Sequence, residues 1–203
     1  MGLYQKHLRP RLLDAALGPK ATGHIRARVC AGLHGEVLEI GYGSGHNQPY
    51  LPREVTRVTA VEPSPVALEL AHQRQAASAV PVAVVLGDAQ QLPFGTTFDA
   101  ALSTWTLCAI PDPLAALREV RRVLRPGGVL HFVEHGLAPD DRVARWQRRG
   151  NSLNRRIAGC VLDRDVPGLL TRAGFTVLEL QTYYEEHSPK PAGYFYEGRA
   201  RPA

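Results

Sequence analysis

A doubly wound α/β fold with a mostly parallel sheet of seven strands is what this 203-residue chain predicts. Three observations carry that expectation. Short apolar, β-branched runs recur along the chain, stretches of helical periodicity separate most of them, and glycine or proline marks the joins. Runs that are apolar throughout, rather than alternating, suit strands covered on both faces by crossover helices.

Residues 1–34 precede the first strand and are expected to form a helical cap, a lid over whatever the core binds. The run at 36–40 (E-V-L-E-I) is followed at once by glycines, and 57–61 (R-V-T-A-V) is closed by Pro63. Further strands are expected at 80–86, ended by Gly87, at 98–106 and at 128–134. Between them, 65–78 reads as a helix with Ser64 as N-cap and Pro65 in its first turn. A second helix, 112–124, is capped by Asp112 and opened by Pro113. Its Leu114, Leu117, Val120, Val123 and Leu124 recur at helical spacing, and it stops at Arg125-Pro126-Gly127-Gly128. Beyond Gly136 the pattern predicts a helix over 139–158 broken near Gly150, a short helix over 166–173, and paired strands at 175–183 and 194–199. That pair would finish the sheet with an antiparallel edge. With no repeat or linker visible, 1–203 reads as one domain: cap 1–34, core 35–136 and C-terminal part 137–203.

Hydrophobic residues make up 44% and charged residues 21%, enough apolar material for a real core and too much for a disordered chain. No apolar run approaches the roughly 20 residues that span a bilayer. The start, with Gln5, Lys6, His7 and Arg9, is too polar for a secretory signal or a membrane anchor. Cys30, Cys108 and Cys160 are an odd count without C-x-x-C spacing, which argues against a disulfide framework or a zinc knuckle and for a reduced, cytoplasmic protein. No ligand cluster demands a metal. The formal charge of +5 permits an anionic partner without requiring one. No interleaved aromatic-basic surface points to nucleic acid.

The sharpest motif is Glu39-Ile40-Gly41-Tyr42-Gly43-Ser44-Gly45, in which a strand delivers an acid and then three glycines at alternate positions. Glycine lets the backbone turn sharply and approach a ligand. A dinucleotide fingerprint would place its third glycine at 46, where this chain has His46, so a pyrophosphate cradle and a nicotinamide dehydrogenase are disfavoured. Glu39 and Gly45 suit a ligand bearing an ammonium group. About twenty residues on, Glu62 ends the next strand, where a carboxylate can accept from both hydroxyls of a ribose. Asp88 follows the third strand, placed to accept from an adenine amino group while the Ala89 amide reads the ring. Taken singly, Glu62 is an ordinary surface acid and Asp88 an ordinary turn residue. Together they line up along the carboxyl edge of one sheet.

On these motifs, with F-D-A-A-L-S-T-W-T-L-C and L-R-E-V-R-R-V-L-R-P-G-G-V-L-H-F-V-E-H further on, the chain resembles the class I S-adenosylmethionine-dependent methyltransferases over residues 35–136. The resemblance implies a Rossmann-like fold with S-adenosylmethionine as cofactor. It implies that Glu39, Gly41, Gly43 and Gly45 hold the methionine part, Glu62 the ribose, Asp88 and Ala89 the adenine, and Thr104 the sulfonium end through its backbone. Tyr42 either touches the cofactor or fills space. The stretch from Thr106 to His135 is similar to small-molecule enzymes, among them quinone-type and small thiol methyltransferases, and the whole is also similar to small sugar O-methyltransferases.

His135 is the leading candidate for a general base because it emerges after a strand at the sheet's carboxyl edge, with Glu134 orienting it or meeting the acceptor. His131 reads as a packed core histidine, whereas His46 and His7 could approach the cleft, His7 only beneath a lid. Tyr183, Tyr184, Glu185, Glu186 and His187, then Tyr194, Phe195, Tyr196 and Glu197, combine aromatic faces with acids. That mixture favours a small hydroxylated acceptor, a saccharide first, methylated on oxygen. Quinol, phenol or thiol acceptors are the alternative, as is a cofactor-binding module without transfer. Arg142, Arg145, Arg148, Arg149, Arg155 and Arg156 run beside Val143, Trp146, Leu153 and Ile157, which reads as a helix with a solvated arginine face or, more sharply, a site for an acidic acceptor. The oligomeric state is left open.

Overall fold

The computed structural model describes residues 2–95, 98–186 and 188–203. An N-terminal helical turn, Tyr4–Leu8, runs into α1 (Arg9–Ala16), and α2 (Pro19–Cys30) follows. The chain then alternates through β1 (Gly35–Ile40), β2 (Val55–Glu62), α3 (Pro65–Ala77), β3 (Val82–Leu86), β4 (Phe98–Thr104), α4 (Pro113–Val123) and β5 (Leu124–His135). It closes with α5 (Asp141–Ile157), α6 (Val166–Arg172), β6 (Phe175–Tyr184) and β7 (Tyr194–Pro202). The seven strands form one sheet in the order β3-β2-β1-β4-β5-β7-β6. The first five pair in parallel, and β7 is antiparallel to both neighbours. The antiparallel strand therefore lies one place in from the edge, and the edge itself is β6.

The runs at the centre of the sheet are apolar because both faces are covered, whereas Val84 and Leu86 of the edge strand β3 are exposed. Leu38, Ile40, Val61, Phe132 and Leu130 point to one side, against Leu117 and Val120 of α4 and Leu170 of α6. Val37, Val58, Ala60, Leu102 and Val133 point to the other, against Ile25 and Val29 of α2 and Ala71 of α3. Neighbours such as Val37 and Leu38 thus divide between two core layers, as a period-two element dictates. The helix starts are chemically fixed. The Ser64 hydroxyl accepts from the Ala67 N–H, and the Asp112 carboxylate from the N–H groups of Leu114 and Ala115, with proline in the first turn of each helix. His131 is the core histidine its mid-strand position predicts, its Nδ1 2.9 Å from the Val29 carbonyl.

One element departs from expectation. The helix expected to break near Gly150 runs unbroken from Asp141 to Ile157. Gly150 faces open space, so it costs propensity but blocks no packing. Both flanks are tied: Asp140 caps the start through the N–H groups of Arg142 and Val143, and near the end Asn151 accepts from Leu162 N–H while Asn154 donates to the Cys160 carbonyl. Among the described residues no helix is long and apolar enough to cross a membrane.

Candidate active site

In the order 3-2-1-4-5 the strand sequence reverses between β1 and β4, and in open α/β sheets ligands bind outside the carboxyl ends at such a reversal. Glu39, Glu62 and Asp88 fall at or just beyond the ends of the three adjacent strands β1, β2 and β3. The turn after β1 needs glycine for two separable reasons. Gly41 has φ +64°, and any Cβ there would collide with the Thr106 side chain. Gly43 has φ +58°, and a Cβ there would meet only the Gly41 carbonyl, at 3.9 Å, so its need for glycine is conformational. Glu62 ties this turn to its own strand, accepting from Gly43 N–H through one oxygen and Ser64 N–H through the other, each at 2.9 Å. Burial raises the Glu62 pKa, and those two N–H bonds oppose the rise. Asp88 is exposed and accepts from the backbone and side-chain N–H groups of Gln90, while Ala89 is buried. Tyr42 is buried with its ring packed under Gly45.

A buried polar cluster lies beside the glycine turn, and sequence reasoning missed half of it. Glu39 is 1% exposed; its Oε1 accepts from Asn47 at 2.8 Å, and its Oε2 has no partner among the described residues. Asn47 also reaches Thr104 Oγ1, and its own carbonyl accepts from the Arg26 guanidinium at 2.6 Å. Arg26, buried in α2, donates besides to Thr22 Oγ1 at 2.9 Å and to Thr104 Oγ1, and its guanidinium stacks 4.9 Å from the Trp105 ring. No ion pair joins it to a carboxylate among the described residues. Burial pushes Glu39 up to about 7, with Asn47 and Arg26 opposing. Burial also pushes Arg26 down to about 10, with Glu39 opposing. The clue in the sequence was Asn47, two residues beyond the last glycine. Nothing local distinguished Arg26 from Arg28.

On the other side of β4 lies an aromatic wall. Trp105 has φ +51°, unusual for a bulky residue, and its backbone N–H donates to the Val133 carbonyl at 2.8 Å. Phe195 of β7 packs against the rings of Trp105, Tyr183 and His135, with centroids 5.6, 5.9 and 5.0 Å away. Cys108, Cys160 and Leu162 belong to the same cluster, and all three cysteines are buried and free. Burial drives His135 down to about 4, with a backbone hydrogen bond at Ala192 opposing, and Nδ1 has no partner among the described residues. Glu134 is fully buried; its Oε1 accepts from Ser103 Oγ at 2.7 Å and from Thr106 N–H at 3.0 Å, so it holds the 104–108 turn. Burial raises it to about 7 against those bonds. His46 contacts Asp14 and lines a cavity with it, Gly18, Lys20 and Arg74, whereas His7 is exposed and His187 lies outside the described residues. Among the described residues no group of three metal-ligating side chains occurs.

A doubly wound sheet with a glycine turn at its reversal point and acids along the same edge defines an α/β protein with a ligand site at that edge. A family model for a methyltransferase domain matches residues 38–132. The chain is 33% identical to thiol S-methyltransferase TMT1B of Homo sapiens, over 93% of this chain and 84% of that protein. It is 35% identical to 2-methyl-6-phytyl-1,4-hydroquinone methyltransferase 1, chloroplastic, of Oryza sativa subsp. japonica, over 61% of this chain and 35% of that one. The crystal structure of N-methyltransferase NodS from Bradyrhizobium japonicum WM9 in complex with S-adenosyl-L-homocysteine matches the fold with TM-score 0.66 at 20% identity, covering 90% of this chain and 85% of that one. The chain belongs to the class I S-adenosylmethionine-dependent methyltransferases.

Proposed function

We propose that this enzyme methylates the sulfur of a small apolar thiol, with the cofactor lying across Glu39, the glycine turn, Glu62 and Asp88. The residues fit the cofactor's amino-acid end: an unpartnered carboxylate oxygen on Glu39 suits an ammonium, and a buried guanidinium free of any carboxylate, Arg26, suits its carboxylate. Gly41, Gly43 and Gly45 shape the turn beside it, and Tyr42 supports them from below. Thr104 anchors the cluster, Glu62 lies where ribose hydroxyls would sit, and Asp88 with Ala89 flanks the adenine end. S-adenosylmethionine supplies an electrophilic methyl on a sulfonium. The chain's own part is to align the acceptor, worth up to roughly 7–11 kcal/mol in well-oriented reactions, and to exclude water.

The observation that carries the choice of acceptor is His135. Its imidazole, neutral at physiological pH and walled by Phe195, has an unpartnered Nδ1 that can accept a proton. Held near 4, it is a weak base, and catalysis is best served by a base titrating near the working pH. A thiol, ionising at about 8.5, asks less of such a base than an alcohol does. A saccharide is the poorer fit for a second reason, since the C-terminal aromatic residues do not form an open trough. Tyr183 donates to Glu197, Tyr196 donates to the Leu137 carbonyl, and Tyr194 and Phe195 are buried. The similarity to thiol S-methyltransferases supports the same choice. A hydroquinone is the second reading, favoured by the rings of Trp105 and Phe195 and by the similarity to the hydroquinone enzyme.

Incubating the enzyme with S-adenosylmethionine and matched panels of alkyl and aryl thiols, hydroquinones and sugars, read by mass spectrometry, tests the assignment. Thioether products are expected. Transfer to sugars without transfer to thiols would overturn it. Because His135 is so weak a base, His135→Gln is expected to lower turnover by no more than about 10²-fold, the low end for a proton-transfer group, with S-adenosyl-L-homocysteine affinity unchanged by calorimetry.

A further inference from the structure

The helix α5 turns its apolar stripe outward. Trp146, Leu153 and Ile157, spaced i, i+7 and i+11, are 61%, 63% and 52% exposed. The buried side of the helix is carried instead by Val143, Ala144 and Gln147. Beside the apolar stripe runs a second one, Arg142, Arg145, Arg149 and Arg156, exposed and making no ion pair among the described residues. The N-terminal segment continues this surface. Tyr4 donates its hydroxyl to the Ile157 carbonyl at 3.0 Å, and Leu3, Leu8 and Leu12 are exposed among Lys6, His7 and Arg11. A solvated helix hides its apolar residues, and large exposed apolar patches mark interaction sites.

We propose that this joint face of α5 and the N-terminal segment docks on the surface of an anionic phospholipid bilayer. Trp146, Leu153 and Ile157 enter the boundary between headgroups and acyl chains, and the flanking arginines meet lipid phosphates. Charge decides the occupant. A second copy of this chain, seated face to face, would bring two arginine stripes together, whereas a phosphate-covered surface complements them. The association is peripheral and does not depend on which acceptor the enzyme takes. It also places α5 and the 158–162 segment, whose Cys160 and Leu162 pack in the cluster that holds Trp105 and Phe195, beside the bilayer.

Co-sedimentation of the full chain with vesicles of phosphatidylcholine, with and without phosphatidylglycerol, tests this. Pelleting with the anionic vesicles only, reversed by high salt, is expected. The chain has two tryptophans, and Trp105 is buried, so a blue shift of emission on adding anionic vesicles reports Trp146 and is expected to vanish in Trp146→Phe. Replacing two arginines (Arg145→Gln with Arg149→Gln) is expected to weaken partitioning about tenfold or more. The apolar pair Leu153→Glu and Ile157→Glu is expected to abolish it. All these side chains are exposed, so circular dichroism and homocysteine-cofactor affinity should stay unchanged. No pelleting, equal pelleting with neutral vesicles, or concentration-dependent dimerisation that the same substitutions remove would overturn the proposal.

Discussion

Arg26 and Glu39 are ionisable groups buried on either side of Asn47; one Glu39 oxygen has no partner, and Arg26 meets no carboxylate, among the described residues. Arg26→Met is expected to weaken S-adenosyl-L-homocysteine binding by about 10- to 150-fold, the scale of a hydrogen bond to a charged group. Methylthioadenosine, which lacks the amino-acid end, should lose little in the same titration calorimetry; equal losses would make Arg26 a support of the fold alone. The pH dependence has a definite sign. Below the ordinary carboxyl value of 4.5, Glu39 is protonated whether folded or not, and the folded protein keeps that proton until about 7. Stability from the neutral form is therefore present at low pH and lost as pH rises through that window. An ammonium ligand favours the charged form, so affinity should climb across the same window by at most about tenfold per pH unit, and Glu39→Gln should flatten the climb. His135 has the opposite sign, costing stability as pH falls from 6.5 towards about 4. Glu39, Glu62 and the glycines were legible because their chemistry depends on position at a strand's end. Arg26 was not, because only the packing of α2 against β1, β4 and the turn at Asn47 buries it, and in the chain it reads as one of two surface arginines beside Ile25.

Among the elements, α4 was readable almost to the residue because its start is encoded locally by Asp112 and Pro113 and its inward face by periodicity. Asp112→Ala should cost about 1 kcal/mol and lower the melting temperature by roughly 2–4 °C. The helix α5 was misread at Gly150 because propensity is a weak prior that flanking tertiary bonds override. Since Gly150 faces open space inside an unbroken helix, Gly150→Ala is expected to stabilise by roughly 0.5–1 kcal/mol in a denaturant titration. A helix truly broken there would lose stability instead. The same helix shows what periodicity cannot settle: the apolar series beside the arginines was visible, but which way it faced depended on Tyr184, Tyr194 and Ala138 packing against Val143.

For the molecule as a whole, α1 is tied to α3 and to the turn after the glycines through Asp14. Asp14 of α1 meets Arg74 of α3 at 2.9 Å and His46 at 3.0 Å. Asp14→Ala should speed S-adenosyl-L-homocysteine release in stopped-flow measurements and leave the thermal midpoint within about 2 °C, since partly exposed ion pairs contribute only about 0–1 kcal/mol. The strand inventory could be read from the chain because each run is apolar and punctuated, but the neighbour order of the last two could not. A hairpin-like pair can join the sheet by either member, and it is β7 that pairs with β5. That order has a consequence during synthesis. While the ribosome still shields β7, β5 presents an open edge and β6 has no place to dock, so the half-made sheet must wait, exposed to wrong partners and to chaperones, for its seventh strand to arrive.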